Sequence, residues 1–287
     1  MPEHVLALPP RWEKDLDCGW VVFKSGKDDI RGYFAKPNDG RNLPAIVMSP
    51  ENLGVIEHRQ DVTRRLAKAG YAALTVDPYS RIGGQSPRDF TSHEERRIKA
   101  TLATPDEQVV PDLQAAADYL AALPEVDSDR IGAIGYCSGG GQLYAWICGR
   151  SRNVKCAVVY YGAPMVRGNG RADGKDLDRA LDGHKLQMPI LVHHGDADKS
   201  VALSAGQHMV EALKKSVAPG PTPVKAERAL AVAEEVLSRP VGDRPNWTLP
   251  RLADEIERRA GLRISPSRLS VVLRQKGISA GDGPATR

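Results

Sequence analysis

The sequence predicts an α/β fold, a mostly parallel sheet with helices on both faces, followed by a small all-α domain. Three observations predict it. Apolar strand-like runs alternate with helical patterns from about Trp20 to Lys215. One such run, within Arg130–Gln142 (RIGAIGYCSGGGQ), leads through a glycine-rich turn straight into a helical segment. Pro219-Gly220-Pro221-Thr222-Pro223 then reads as a linker, and the patterns after it are helical.

The elements follow in order. Trp20–Phe23 and Gly32–Ala35 read as a hairpin across the Lys24–Asp29 turn region, and Leu43–Met48 as a continuous apolar strand ending in Ser49-Pro50-Glu51-Asn52-Leu53-Gly54. Asp61–Ala69 has Val62, Leu66 and Ala69 at helical spacing, and Gly70 stops it. Tyr71–Val76 is the next strand, ending in Asp77-Pro78-Tyr79-Ser80-Arg81, after which Gly, Ser and Pro predict a loop. Asp106–Leu123 is a long helix with Val110, Leu113, Ala117 and Leu120 inward. The strand Ile131–Ile134, a helix through about Cys148, strands Lys155–Tyr161 and Pro189–His194, and a helix from about Ala202 to Lys215 complete this half.

The chain has 287 residues, 26% of them charged and 41% hydrophobic, a balance that excludes wholesale disorder. No apolar run approaches membrane-spanning length, and MPEHVLALPPRW lacks the basic-then-apolar pattern of a signal peptide. Cys18, Cys137, Cys148 and Cys156 show no paired metal-ligand spacing, and no cofactor motif is present. A cytoplasmic protein is expected. Charge is unevenly placed: from Gly220 onward 12 Lys/Arg face 8 Asp/Glu, so the whole excess of +4 lies in the tail.

Gly135-Tyr136-Cys137-Ser138-Gly139 is a glycine–x–nucleophile–x–glycine elbow in its required strand–turn–helix setting, with cysteine at the centre. A thiol at a helix N-terminus sees the positive end of the dipole, which favours the attacking thiolate. In sheets of this kind ligands bind beyond the carboxyl ends of the strands. Glu51, Arg81, Cys137 and Asp198 all fall just past a strand end. Taken singly, Glu51 also suits a carboxylate capping a helix start, Arg81 a solvated cation, and Asp198 an Asx-turn residue.

GYCSGGG at 135–141, PENLG at 50–54, DPYSR at 77–81 and HGDADKSV at 194–201, in this order and spacing, resemble the dienelactone hydrolase family of α/β-hydrolases. The resemblance runs from about Val21 to about Lys215 and implies an α/β-hydrolase-type sheet and a hydrolase of small esters or lactones working through an acyl-enzyme. It implies Cys137 as nucleophile, Asp198 as orienting carboxylate with Asp196 as competitor, and Glu51 as the group that helps generate the thiolate once substrate binds. Arg81 matches an arginine that binds a substrate carboxylate, and the backbone N–H groups of Ser138 and Asn52 match the oxyanion-hole donors.

The pattern breaks at the third triad member. The family's histidine follows one further strand, and none of His4, His58, His93, His184, His193, His194 and His208 occupies such a place. The triad is therefore expected to be incomplete and the enzyme impaired. Without its last strand and helix the sheet is expected to show a bare edge after Pro189–His194 and an uncovered apolar face.

In the tail, Ala226–Leu237, a helix capped by Thr248 and ended by Gly261, and a third starting at Ser265-Pro266 predict a helix-turn-helix domain. WTLPRLADEIERRAGLRISPSRLSVVLRQKGIS resembles the winged helix-turn-helix of insertion-element transposases. The resemblance implies duplex DNA as partner, with Ser267, Arg268, Ser270 and Arg274 facing phosphates and groove; a helical bundle for protein contact is the other reading. The domain boundaries expected are 1–218 for the hydrolase-like part, 219–224 for the linker, 225–279 for the helix-turn-helix and 280–287 for a disordered tail. The abrupt loss of family pattern near Ser216 reads as a fusion. The function expected is thus an ester or lactone hydrolase, and the alternative a non-catalytic DNA-binding protein.

Overall fold

The computed structural model describes residues 14–149, 151–216, 229, 231–233 and 248–275, with the helical backbone alone at Ser267, Arg268, Val271, Arg274 and Gln275. The N-terminal stretch read for a signal peptide, the 219–224 linker and the 280–287 tail lie outside the described residues. The chain divides into two compact units, Met1–Gly220 and Pro221–Arg287.

The first unit begins with a hairpin, β1 (Leu16–Ser25) and β2 (Asp28–Pro37), paired in unbroken register from Leu16↔Pro37 to Ser25↔Asp28. It is longer than the apolar runs alone indicate, because backbone pairing carries the polar residues along with the apolar ones. There follow β3 (Leu43–Ser49), α1 (Glu57–Lys68), β4 (Ala72–Val76), α2 (His93–Ala103), α3 (Asp106–Ala121), β5 (Val126–Tyr136), α4 (Ser138–Ile147) and β6 (Val154–Tyr160). A two-strand ribbon, β7 (Met165–Val166) and β8 (Leu177–Asp178), then β9 (Ile190–His193) and α5 (Leu203–Leu213) complete it. The main sheet has the order β1-β2-β4-β3-β5-β6-β9. β2 runs antiparallel to β1 and β4, while the β4-β3-β5-β6-β9 part is parallel throughout. All five parallel strands thus deliver their carboxyl ends to one edge.

The loop expected after Arg81 is corrected by α2. Ser92 accepts a bond from the Glu95 N–H (3.1 Å), and Glu95 in turn accepts from the Thr91 N–H (2.7 Å). This reciprocal capping, Ser-x-x-Glu in the sequence, starts a helix that the surrounding Gly and Pro content disguises.

Strand alternation sorts the core. Val47, Leu74, Ala133 and Val159 point to the face where Leu113, Ala117, Leu143 and Ile147 of α3 and α4 close the main core. Met48 and Thr75 point the other way, toward α1, whose Thr63 hydroxyl lies 2.6 Å from that of Thr75. By register the same face continues through Ile134, Val158 and Leu191. There Leu191 is 53% exposed and Cys156 is exposed, and no strand pairs with the outer edge of β9 among the described residues. Among the described residues, the edge of β9 is thus unpaired and this face carries exposed apolar positions, as expected.

In the second unit, α6 (Leu249–Ala260) and α7 (Pro266–Gln275) are joined by a turn that Gly261 opens at φ 63°. Leu252, Ile256, Leu269 and Leu273 form a small core with Ala229 and Ala233. The rest of the predicted Ala226–Leu237 helix lies outside the described residues.

Candidate active site

Cys137 stands between β5 and α4 with φ 52° and ψ −117°, a conformation that costs a non-glycine residue on the order of 1–3 kcal/mol. The neighbouring backbone enforces it. The Cys137 N–H donates to the Tyr160 carbonyl (3.0 Å), and the Cys137 carbonyl accepts from the Gly141 N–H (3.0 Å). A Cβ at Gly139 would come within 2.5 Å of the Ser49 carbonyl oxygen and closer still to that of Pro50, so only glycine lets α4 start against the end of β3. That approach brings the Pro50–Gly54 loop beside the sulfur.

Burial pushes the Cys137 thiol above its ordinary range, and the negative charges of Glu51 and Asp198 push the same way. The Ser138 N–H, bonded to the sulfur, and the charge of Arg97 pull against them. The helix N-terminus therefore acts as expected, but desolvation wins and the resting thiol is protonated at neutral pH.

Glu51 is bound as a fork by Arg59, Nε to Oε2 at 2.5 Å and Nη2 to Oε1 at 2.8 Å. The Arg59 side chain is 3% exposed, and its guanidinium lies 3.7 Å from the centroid of the Tyr136 ring. Tyr136 stacks on Tyr160 (5.0 Å), and Tyr160 on His193 (4.8 Å), so a cation and three rings run across the ends of β5, β6 and β9. The helix-cap reading of Glu51 does not hold: α1 has no side-chain cap, and Glu51 is spent on Arg59 instead.

Asp198 accepts from the N–H groups of Ser200 (2.7 Å) and Val201 (3.0 Å), which hold its carboxyl below the usual range. This is the Asx-turn geometry, yet the charge still reaches Cys137. Asp196 is exposed. No imidazole bonds to Asp198 or Cys137 among the described residues. His194 Nε2 meets the Val201 carbonyl at 2.7 Å, and its Nδ1 is buried without a partner. His208 Nε2 pairs with Asp178 (2.8 Å), His184 Nδ1 lies 3.0 Å from the Leu181 carbonyl, and His193 is stacked on Tyr160. His58 and His93 are exposed, and His4 lies outside the described residues.

The Asn52 N–H has no partner among the described residues, while the Asn52 carbonyl accepts from the Tyr79 hydroxyl at 2.8 Å, fixing the loop. Arg81 is placed differently from its expected role. Its guanidinium forks onto Asp112, whose side chain is fully buried, at 2.6 and 3.0 Å, and reaches Asp28 at 2.7 Å. It ties the β1–β2 hairpin to α3 and has no edge left for an anion. It is not a solvated cation either, because its side chain is 23% exposed. The cation whose field reaches the sulfur is Arg97 on α2, exposed and without a carboxylate partner among the described residues.

Arg59 and Arg97 were not legible as site residues, and Tyr161 was missed. Tyr161 follows β6 directly, and the strand-end rule that selected Glu51 selects it too. In the second unit, Ser270 is half-buried, and the side chains of Ser267, Arg268 and Arg274 lie outside what is described. Among the described residues no three His, Cys, Asp or Glu side chains gather as a metal site, and no helix is long and apolar enough to cross a membrane.

Residues 30–220 match the model of the dienelactone hydrolase family. A candidate carboxymethylenebutenolidase of Methylorubrum extorquens is 32% identical over 200 residues, which cover 69% of this chain and 66% of that protein. One from Yersinia pestis is 30% identical over 69% of this chain and 72% of its own length. Among solved structures, a candidate dienelactone hydrolase from Klebsiella pneumoniae superposes with a TM-score of 0.62 at 26% identity, covering 71% of this chain and 83% of that one. The matches thus leave about a third of the first relative's length without a counterpart. With the family model matched over residues 30–220, about two thirds of its length, the chain belongs to the dienelactone hydrolase family.

Proposed function

We propose that the first unit cleaves small esters or lactones by covalent catalysis, with Cys137 as nucleophile and a thioester as intermediate. The observation that carries this reading is the strained Cys137 backbone, which holds the sulfur at the N-terminus of α4, within reach of the charge of Glu51. Attack places negative charge on the carbonyl oxygen, where the Ser138 and Asn52 N–H groups are the available donors. Glu51 is held by Arg59 in the resting state and acts as base once released. An anionic substituent on the substrate meets Arg97 before Arg81, whose fork is already taken. Asp198 orients no imidazole among the described residues, so breakdown of the thioester is slow and acyl-enzyme accumulates.

The test is incubation with 4-nitrophenyl acetate, following nitrophenolate release and the mass of the Cys137 peptide. A stoichiometric burst with an acetyl group on Cys137, abolished by Cys137→Ala, is expected. Release that survives Cys137→Ala, or an adduct elsewhere, overturns the reading.

A second reading, DNA binding by the second unit, is favoured by the α6–turn–α7 pair on its own core and by the excess of Lys and Arg after Pro219. Binding of a labelled duplex that weakens steeply with salt supports it, and salt-independent or absent binding at low salt ends it.

A further inference from the structure

Tyr161 is the feature of this site that the nucleophile reading leaves unused. It has φ 41°, an outlier for a bulky aromatic residue, and such strain persists only where surroundings over-determine it. Here they do. The Tyr161 N–H donates to the His193 carbonyl at 2.7 Å, tying the residue to the end of β9. Just beyond it, the Ala163 N–H reaches the Cys137 carbonyl at 3.4 Å, so the Tyr160–Ala163 segment is stitched to the elbow backbone. A Cβ at Gly162 would lie 2.8 Å from the Tyr144 ring and 2.9 Å from the Gly140 carbonyl carbon, which leaves the segment no room to relax. The ring is thereby held 6.4 Å from that of Tyr136, over which the Arg59 guanidinium that forks onto Glu51 lies at 3.7 Å. Its charged and titratable neighbours are Glu51, Arg59 and Cys137.

We propose that Tyr161 is the proton donor to the departing oxygen of the ester, in a site where no imidazole reaches that position among the described residues. The inference rests on Cys137 being the nucleophile. Acylation then balances as follows. The thiol proton passes to the Glu51 carboxylate while sulfur forms its bond to the carbonyl carbon. The ester C–O bond breaks, and its oxygen takes the Tyr161 phenol proton. The phenolate, facing the Arg59 guanidinium, recovers a proton from the Glu51 carboxyl, so the thiol's proton is replaced on the leaving alcohol without net change in the protein. Water later cleaves the C–S bond and returns a proton to sulfur. Burial, reinforced by Glu51, pushes the phenol above its ordinary range, which keeps it protonated and able to donate across neutral pH.

Two acetate esters that differ only in their leaving group provide the test. 4-Nitrophenolate departs without a proton, whereas trifluoroethoxide needs one. Tyr161→Phe is expected to slow acetylation of Cys137 by trifluoroethyl acetate about 100-fold and by 4-nitrophenyl acetate less than about 3-fold, read as the mass gain of the Cys137 peptide over time. Equal loss with both esters makes Tyr161 structural, and no loss with either makes it a bystander; each overturns the proposal. The wild-type protein provides a second measurement that needs no variant to fold. Heavy water should slow acylation by the trifluoroethyl ester more than by the nitrophenyl ester, and equal slowing refutes the donor role. Failure of the nucleophile reading is a separate result, since wild-type Cys137 would then gain no acetyl group from either ester.

Discussion

Replacing Glu51 by Gln separates what this carboxylate does for the fold from what it does to the nucleophile. The substitution keeps shape and one acceptor but removes the charge that Arg59 forks onto. Arg59 is 3% exposed and Glu51 18%, so the pair is largely out of water. Removing one member of a buried pair costs about 3–5 kcal/mol. The retained amide oxygen, the Tyr136 ring at 3.7 Å and the partial exposure of residue 51 bring the expected loss down to about 2 kcal/mol. At a urea slope of about 2 kcal/mol per molar, the unfolding midpoint falls by about 1 M. The thiol should respond in the opposite sense. Glu51 raises the Cys137 pKa, and with the charge gone an unneutralised Arg59 lies close by. Both changes favour thiolate, so iodoacetamide should alkylate Cys137 faster at neutral pH in the less stable protein. An unchanged midpoint, or slower alkylation, would refute the reasoning.

Two further substitutions probe the same edge of the sheet. Gly139→Ala drives a Cβ into the Ser49 and Pro50 carbonyls, and because both are backbone the contact cannot be relieved by a rotamer change. A loss of about 3 kcal/mol in urea unfolding is expected, together with loss of ester acylation as the Glu51–Asn52 loop is displaced. Arg97→Gln removes a cation whose charge lowers the Cys137 pKa, so the thiol rises further and alkylation at neutral pH slows. Iodoacetate, which carries a charge, should slow roughly 2- to 5-fold more than neutral iodoacetamide, measured as the ratio of the two rates. An unchanged ratio would place Arg97 out of the reagent's path.

How far the sequence was legible depended on the range of the interactions involved. The elbow needed only local chemistry: a short apolar run, glycines on both sides of Cys137 and a helical segment after them define the turn without help from distant residues. The same holds for β3, β4, β6 and β9, where continuous apolar runs suffice. Helix α2 was also written locally, as Ser92-His93-Glu94-Glu95, but the capping signal was outweighed by the Gly and Pro that precede it. The bare edge at β9 could be expected because no further strand pattern follows Pro189–His194 before the linker at Pro219.

By itself, then, the order of residues determined that a parallel sheet forms, that Cys137 sits at a strand-to-helix reversal, and that Glu51 and Asp198 each lie just past a strand end. Only the tertiary structure decided which charges meet. Arg59 is eight positions from Glu51 and becomes its partner because α1 packs on the sheet face that also bears Tyr136. Arg81 sits at a strand end like the others, yet Asp28 and Asp112, 53 and 31 positions away, claim it. Tyr161 acquires its place through backbone bonds to β9 and the elbow. Pairings of this kind depend on which surfaces the fold brings into contact, and periodicity along the chain carries no record of them.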